Sequence, residues 1–304
     1  MKLGFVTAIF PDLELAEVLQ FAAEVGYDCV EVMCWPPGGG ERKFAGVSHI
    51  DVTNLSQSQG DDIRGLCENH GVSISGLGYY PNILSANAEE GDLAHSHLKK
   101  VMDAASLLGL KNVNTFIGNN HTQPFEVNFE KFQHIWPELI RYAEQRGLFI
   151  GIENCPMLFS LDEWPGGKNM AKSPEIWRKM FEAIPSDHFG LNYDPSHIVM
   201  QMMDYIEPIV DFPHKLFHVH AKDMKVEHRK LNQVGVQALP PEWTTPKIPG
   251  LGDVDWSRFV SSLTDADYNG PICVEMEDDA FSRTLEDRKR SLVISHNVLR
   301  PLIG

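Results

Sequence analysis

The stretch FHVHAKD, residues 217–223, alternates apolar and polar side chains with the period of two that belongs to a β-strand. Phe217, Val219 and Ala221 take one face, and His218 and His220 take the other. A closed barrel suits such a strand, because its outer face packs on helices while its inner face meets other strands across the interior. Whether the chain closes depends on what surrounds this stretch.

Eight strand-like runs occupy residues 2–9, 29–35, 72–80, 112–118, 148–154, 188–194, 215–221 and 271–277. Amphipathic helical patterns fall between and after them, at 13–25, 60–70, 92–108, 128–146, 174–184, 197–211, 255–265 and 282–299. Several of these end in the glycine expected just past a helix, as in AEVGYD, ENHGV, SLLGL and EQRGL. Strict strand and helix alternation requires a parallel sheet with crossover helices, and eight units point to a single (β/α)8 TIM barrel spanning residues 1–304. The rival, an open doubly wound sheet, needs a glycine fingerprint after its first strand, where this chain has AIFPDLE. PGLGDVDW, residues 249–256, follows a long loop and reads as a turn into a helix. Residues 36–51 after the second strand and 224–252 after the seventh read as long loops at the C-terminal face, where barrel active sites lie, and so as lid candidates.

Bulk properties narrow the function. A net charge of −16 argues against nucleic-acid binding, which needs a basic face. Five scattered cysteines form no close metal-type pair and no disulfide framework, which fits a reducing compartment. The N-terminus lacks a signal-type apolar core, and no run approaches the ~18 apolar residues of a membrane span. The expected location is cytoplasmic, with no membrane partner and with self-association into a homo-oligomer left open.

Strand parity locates the chemistry. In FIGIEN the isoleucines face out and Glu153 faces in; in FGLNYD, Asn192 and Asp194 face in; in PICVEME, Cys273, Glu275 and Glu277 share the inward side. Glu153, Asp194, His220 and Glu275 therefore converge near the C-terminal ends of strands five to eight. Carboxylates cannot share a dry pocket without protons or a cation. One divalent ion is the simpler answer, and an oxygen-rich site with one imidazole suits Mn²⁺ first, with Mg²⁺, Co²⁺, Fe²⁺ or Zn²⁺ as alternatives. His218, about 6–7 Å further down the strand, is expected to support the pocket through hydrogen bonds.

These residues resemble the xylose isomerase-like TIM barrels, the sugar phosphate isomerases and epimerases that include ketose 3-epimerases and inosose isomerases and dehydratases. The resemblance runs through GIENCP, YDPSH, HVHAKD, PGLGDVDW and VEMED, in that order. It implies Glu153, Asp194, His220 and Glu275 as metal ligands, His197 as a substrate contact, and Glu153 and Glu275 as the catalytic carboxylates that exchange a proton with substrate carbon. A metal chelating a carbonyl and its neighbouring hydroxyl acidifies the adjacent C–H and stabilises an enediolate. Two carboxylates on opposite faces then epimerise, and one alone isomerises or eliminates. Ketose epimerases of the family carry a further acid and an arginine where this chain has Phe159 and Val226, which argues against a free ketohexose.

Lys222 reads either as a cation or acid over a substrate oxygen or as a strand-end partner of Asp223. Trp35, Tyr79, Tyr80 and Trp164 read equally as sugar-facing rings or as packing. Glu31 is inward and is expected to bind substrate or neutralise a buried partner, while Asn82 and His121 are loop candidates for substrate contact. His95 and His97 read as helix surface. The functional expectation is a metal-dependent isomerase or epimerase of a sugar or cyclic polyol. The alternative is a lyase or dehydratase acting on an inosose or 3-keto-sugar. An apurinic-site endonuclease is disfavoured, because the early strands lack the histidines its zinc cluster needs.

Overall fold

Eight parallel strands close into a barrel in the computed structural model, which describes residues 1–36 and 46–303. In chain order the barrel strands are Lys2–Val6 (β1), Cys29–Met33 (β2), Ser73–Gly78 (β3), Asn112–Thr115 (β4), Phe149–Glu153 (β5), Phe189–Tyr193 (β6), Leu216–Ala221 (β7) and Pro271–Val274 (β10). The strands neighbour one another around the ring in sequence order, and β1 closes it by pairing with both β2 and β10. Most of the expected loop at 36–51 lies outside the described residues.

Alternation does what parity requires. Ile150, Ile152, Leu191, Val219, Ile272 and Val274 are fully buried in the cluster that joins barrel to helices, whereas Cys29, Met33 and Cys273 belong to a separate interior cluster. The first two surrounding helices begin where side chains cap them. Leu15–Val25 (α1) starts with a reciprocal Glu14/Glu17 pair, and Gln57–His70 (α2) starts on Ser56, three residues earlier than periodicity alone gives, because Ser56 and Gln59 satisfy each other's first-turn N–H groups. Ala88–Leu107 (α3), Phe125–Glu144 (α4) and Pro174–Ala183 (α5) complete the first half of the ring.

Three expectations are corrected. The helix expected over 197–211 is two short ones, Ser196–Met200 (α6) and Glu207–Asp211 (α7). Between them Met202 takes a positive φ of 59°, Asp204 Oδ1 accepts the Ile206 N–H, and Pro208 opens the second helix. His97 is not on the surface. It is 4% exposed, with Nε2 2.8 Å from the Cys34 carbonyl oxygen, while His95 stays half-buried beside Glu138.

The third correction concerns residues 224–252, which are not an irregular loop. Asp223–Val226 (β8) and Thr244–Lys247 (β9) form an antiparallel hairpin that carries the short helix His228–Val234 (α8) at its turn. The hairpin is pinned by Asp223, which is fully buried. Its carboxylate accepts the N–H groups of Met224 (2.9 Å), Gly250 (3.0 Å) and Val254 (3.0 Å) and the Trp256 indole N–H (2.9 Å). The PGLGDVDW turn is thus a wrap around one carboxylate before helix Trp256–Asp265 (α9). A side chain at Gly252 would put its Cβ 2.2 Å from Asp223 Oδ1, so only glycine fits there. Helix Leu285–Ile303 (α10) packs back onto β1 and completes the ring.

Hydrogen bonds to a charged group contribute about 1.5–3 kcal/mol each. Asp223→Ala is expected to lower stability by at least about 3 kcal/mol in denaturant unfolding and to expose residues 224–252 to limited proteolysis. A loss under about 1 kcal/mol with an intact hairpin would contradict this role.

Candidate metal centre

Four side chains reach one point at the C-terminal mouth of the barrel. Glu153 is the last residue of β5, Asp194 follows β6, His220 is in β7 and Glu275 follows β10. One ligand-type atom from each lies within 4.8 Å of all the others. Glu153 is 2% exposed, and Asp194 and His220 are fully buried, so the group is largely shut off from water.

Local bonds aim each group. Asp194 and Asn154 are locked by a reciprocal pair, Asp194 N–H to Asn154 Oδ1 and Asn154 Nδ2 to the Asp194 carbonyl, both 2.8 Å. Asp194 Oδ1 accepts the Ser196 N–H at 2.8 Å, which leaves Oδ2 for the centre. The Glu153 carbonyl accepts Asn169 Nδ2 at 2.9 Å.

His220 is set from behind by Glu31, whose Oε2 lies 2.6 Å from Nε2. A carboxylate can only accept, so Nε2 carries the proton and Nδ1 faces the centre, 3.4 Å from Glu275 and 3.8 Å from Glu153. This is the carboxylate–histidine arrangement that orients a metal-ligating imidazole. Burial opposes charge on the ring, but Glu31 and Glu275 outweigh it and hold His220 well above the ordinary imidazole range. A cation at Nδ1 would take the place of that second proton.

The remaining polar interior is tied together. Tyr80 donates to Glu31 Oε1, Asn192 Nδ2 donates to Tyr80 at 3.0 Å, and Asn192 Oδ1 lies 2.9 Å from His218 Nδ1. His218 Nε2 meets Ser75 Oγ at 3.0 Å. Burial lowers the His218 pKa to about 4, so this ring is neutral and sits one layer below the centre. Glu31 has room because β3 carries Gly78 here, where a Cβ would stand 2.6 Å from Glu31 Oε1.

Lys222 does not pair with Asp223. Its side chain is 2% exposed and turns into the mouth, with Nζ 2.6 Å from Glu275, 3.2 Å from Asp194, 3.2 Å from Glu277 and 4.0 Å from Glu153. Burial opposes its charge, but Glu275, Glu277, Asp194 and Glu153 hold the ammonium well above the ordinary lysine range. One ammonium faces four carboxyl groups. His197 Nε2 lies 3.4 Å from Glu153 Oε1 and 3.3 Å from Asp194 Oδ2.

These residues fit a divalent cation. Glu153 Oε1, Asp194 Oδ2 and His220 Nδ1 are buried and make no hydrogen bond among the described residues. The Lys222 ammonium stands 3.2 Å from Asp194 Oδ2 and 4.0 Å from Glu153 Oε1, so this point already draws positive charge. Three carboxylate oxygens and one imidazole nitrogen form a hard to borderline donor set.

Other expected residues stand apart from this point. Both Glu31 oxygens are engaged within the barrel, and Asn82 ties two loops together through Asn119, with Nδ2 to the carbonyl at 2.9 Å and Oδ1 to the N–H at 2.8 Å. Trp35 packs edge-on against Tyr79, and Tyr79 packs against His97. Sequence parity missed the Tyr80 hydroxyl and the Asn154 and Asn169 locks, which are long-range pairings without a local signature. Glu277 shared the inward parity of Glu275 and was visible by that signal.

A family model described as xylose isomerase-like TIM barrel matches residues 19–302. An inosose dehydratase of Clostridium perfringens (strain 13 / Type A) is 33% identical over 254 residues, 81% of this chain and 84% of that protein. The crystal structure of IOLI protein with a binding zinc atom aligns with a TM-score of 0.71 at 19% identity, covering 99% of each chain. D-psicose 3-epimerase with D-tagatose from Clostridium cellulolyticum H10 aligns at 0.70 and 13%, covering 100% of each. With the family model spanning nearly its whole length, this chain belongs to the xylose isomerase-like TIM barrel family.

Proposed function

We propose that this chain is a divalent-metal-dependent isomerase or epimerase of a sugar or cyclic polyol, working by proton transfer at a carbon beside a carbonyl. The observation that carries this reading is the convergence of Glu153, Asp194, His220 and Glu275 within 4.8 Å. The ion expected there is Mn²⁺-like, on the strength of the oxygen-rich donor set. Once bound, such an ion supplies the positive charge that polarises a carbonyl and acidifies its neighbouring C–H.

The chain's own groups do the rest. β5 and β10 are separated in the ring by β6 and β7, so Glu153 and Glu275 reach the centre from different sides. One carboxylate takes the proton from the substrate carbon, and the other returns it. Lys222 Nζ, 2.6 Å from Glu275, is placed to stabilise or protonate a substrate oxygen. His197, beside Glu153 and Asp194, is in reach of the same substrate. Trp35, at the mouth, is the ring proposed to cover a sugar's apolar face.

A second reading, dehydration of an inosose or 3-keto-sugar, shares the first proton abstraction. It is favoured by the buried Lys222 ammonium as a positive charge to stabilise the leaving oxygen and by the 33% identical inosose dehydratase. A cytoplasmic location is part of either reading, in keeping with the five free cysteines; no helix among the described residues is long and apolar enough to cross a membrane.

Metal-stripped protein resupplied with Mn²⁺ and offered ketoses, inososes and 3-keto-sugars in deuterated water separates the two. Deuterium entering the substrate without loss of water identifies the isomerase or epimerase, and water loss identifies the dehydratase. Glu153→Gln and Glu275→Gln are each expected to lower turnover by about 10³-fold or more, and near-normal activity in both would refute the assignment. Glu31→Gln is expected to weaken Mn²⁺ binding by about 10–100-fold in calorimetric titration; unchanged affinity would remove Glu31 from the role of orienting His220.

A further inference from the structure

Lys222 Nζ touches the oxygens that a divalent ion would need. Asp194 Oδ1 is taken by the Ser196 N–H, so Oδ2 is the oxygen Asp194 has to offer, and Nζ stands 3.2 Å from it. Glu275 Oε2 is 2.6 Å from Nζ and 3.4 Å from His220 Nδ1, so the ammonium and the imidazole nitrogen converge on one atom. Glu153 Oε1 is 4.0 Å from Nζ. An ion drawn to these oxygens would meet an ammonium of like sign in a pocket with little water, where repulsion is far stronger than in solution. Ammonium and ion cannot both keep these contacts.

Glu277 marks where the ammonium can go. It lies two residues beyond Glu275, with Oε2 3.2 Å from Nζ. It stands outside the group of four whose atoms lie within 4.8 Å of one another, and the proposed reaction gives it no part. Its side chain is 32% exposed, against 19% for Glu275 and 0% for Asp194, which puts it on the open side of the mouth. Among the described residues its ion-pair partner is Lys222, while the neighbouring Asp278 is matched by Lys247 at 3.3 Å. A lysine stem is flexible, so Nζ can leave Glu275 and Asp194 without losing Glu277.

We propose that Lys222 is a tethered competitor for the metal centre and that Glu277 is the carboxylate that receives it when an ion enters. The proposal rests on the reading of the four-residue centre as a metal site and extends it. Ion binding then carries the work of moving the ammonium, so the affinity measured is weaker than the four ligands alone would give. It also sets an order. Lys222 comes to stand over a substrate oxygen only after the centre is filled, so the ion binds before the substrate.

The test is calorimetric titration of Mn²⁺ into the metal-stripped full chain and into Lys222→Met, Glu277→Gln and the double variant. Lys222→Met is expected to bind Mn²⁺ about tenfold more tightly. Glu277→Gln is expected to weaken binding about tenfold where Lys222 is present and by less than about threefold where it is Met. Unchanged or weaker binding by Lys222→Met would overturn the competition. An equal loss from Glu277→Gln in both backgrounds would show that its charge acts on the ion directly, and would overturn its role as receiver of Lys222. No binding by any of the four proteins would overturn the reading of the centre itself. Should Lys222→Met not fold, a crystal structure of the unaltered chain with Mn²⁺ bound decides: Nζ is expected on Glu277 and away from Glu275, and an ammonium still against Glu275 and Asp194 beside the ion would overturn the proposal.

Discussion

Carboxyl groups gathered in one dry pocket repel one another, and everything at the mouth of this barrel is arranged around that repulsion. Glu153, Asp194, Glu275 and Glu277 surround a point that, among the described residues, one ammonium reaches, that of Lys222. Removing one charge from water costs several kcal/mol even after relaxation, and one lysine balances one carboxylate. Burial opposes charge on His220, but Glu31 and Glu275 hold the ring above the ordinary imidazole range. A bound cation would relieve the same imbalance without protons, and the interior holds the converging side chains still.

That stillness comes from the barrel. The helix-facing Ile150, Ile152, Leu191, Val219, Ile272 and Val274 are packed without exposure, and the interior behind the converging residues is a connected polar layer running from Glu31 and Tyr80 through Asn192 to His218 and Ser75. Each member has a partner, so the layer orients His220 without competing for its Nδ1. Asp223, the residue after Lys222, faces away and anchors the β8–β9 hairpin. Adjacent residues at the end of one strand therefore serve the centre and the excursion above it.

The barrel was legible in the sequence because two periodicities, two for strands and 3.6 for helices, repeat with glycines punctuating the changes. The four converging residues were legible for a related reason: side chains on a barrel strand alternate strictly, so parity near a strand's end decides whether a polar group meets the others. Even Glu275, which falls just past the end of β10, kept its inward direction. What stayed hidden depends on distant pairings. Glu31 and His220 are 189 residues apart, and nothing local marks them as partners. His97 looked like surface because its burial is decided by Cys34 and Tyr79. The 197–211 segment was read as one helix, since periodicity carries no record of the Met202 and Asp204 turn.

Anomalous diffraction from crystals soaked in Mn²⁺ tests the central claim most directly. The account predicts a manganese peak about 2.0–2.3 Å from oxygens of Glu153, Asp194 and Glu275 and from His220 Nδ1, with Glu31 still behind Nε2 and Lys222 Nζ moved aside. A peak held by Glu31, His218 and His220, or no peak at fully soaked crystals with the mouth unchanged, would contradict it.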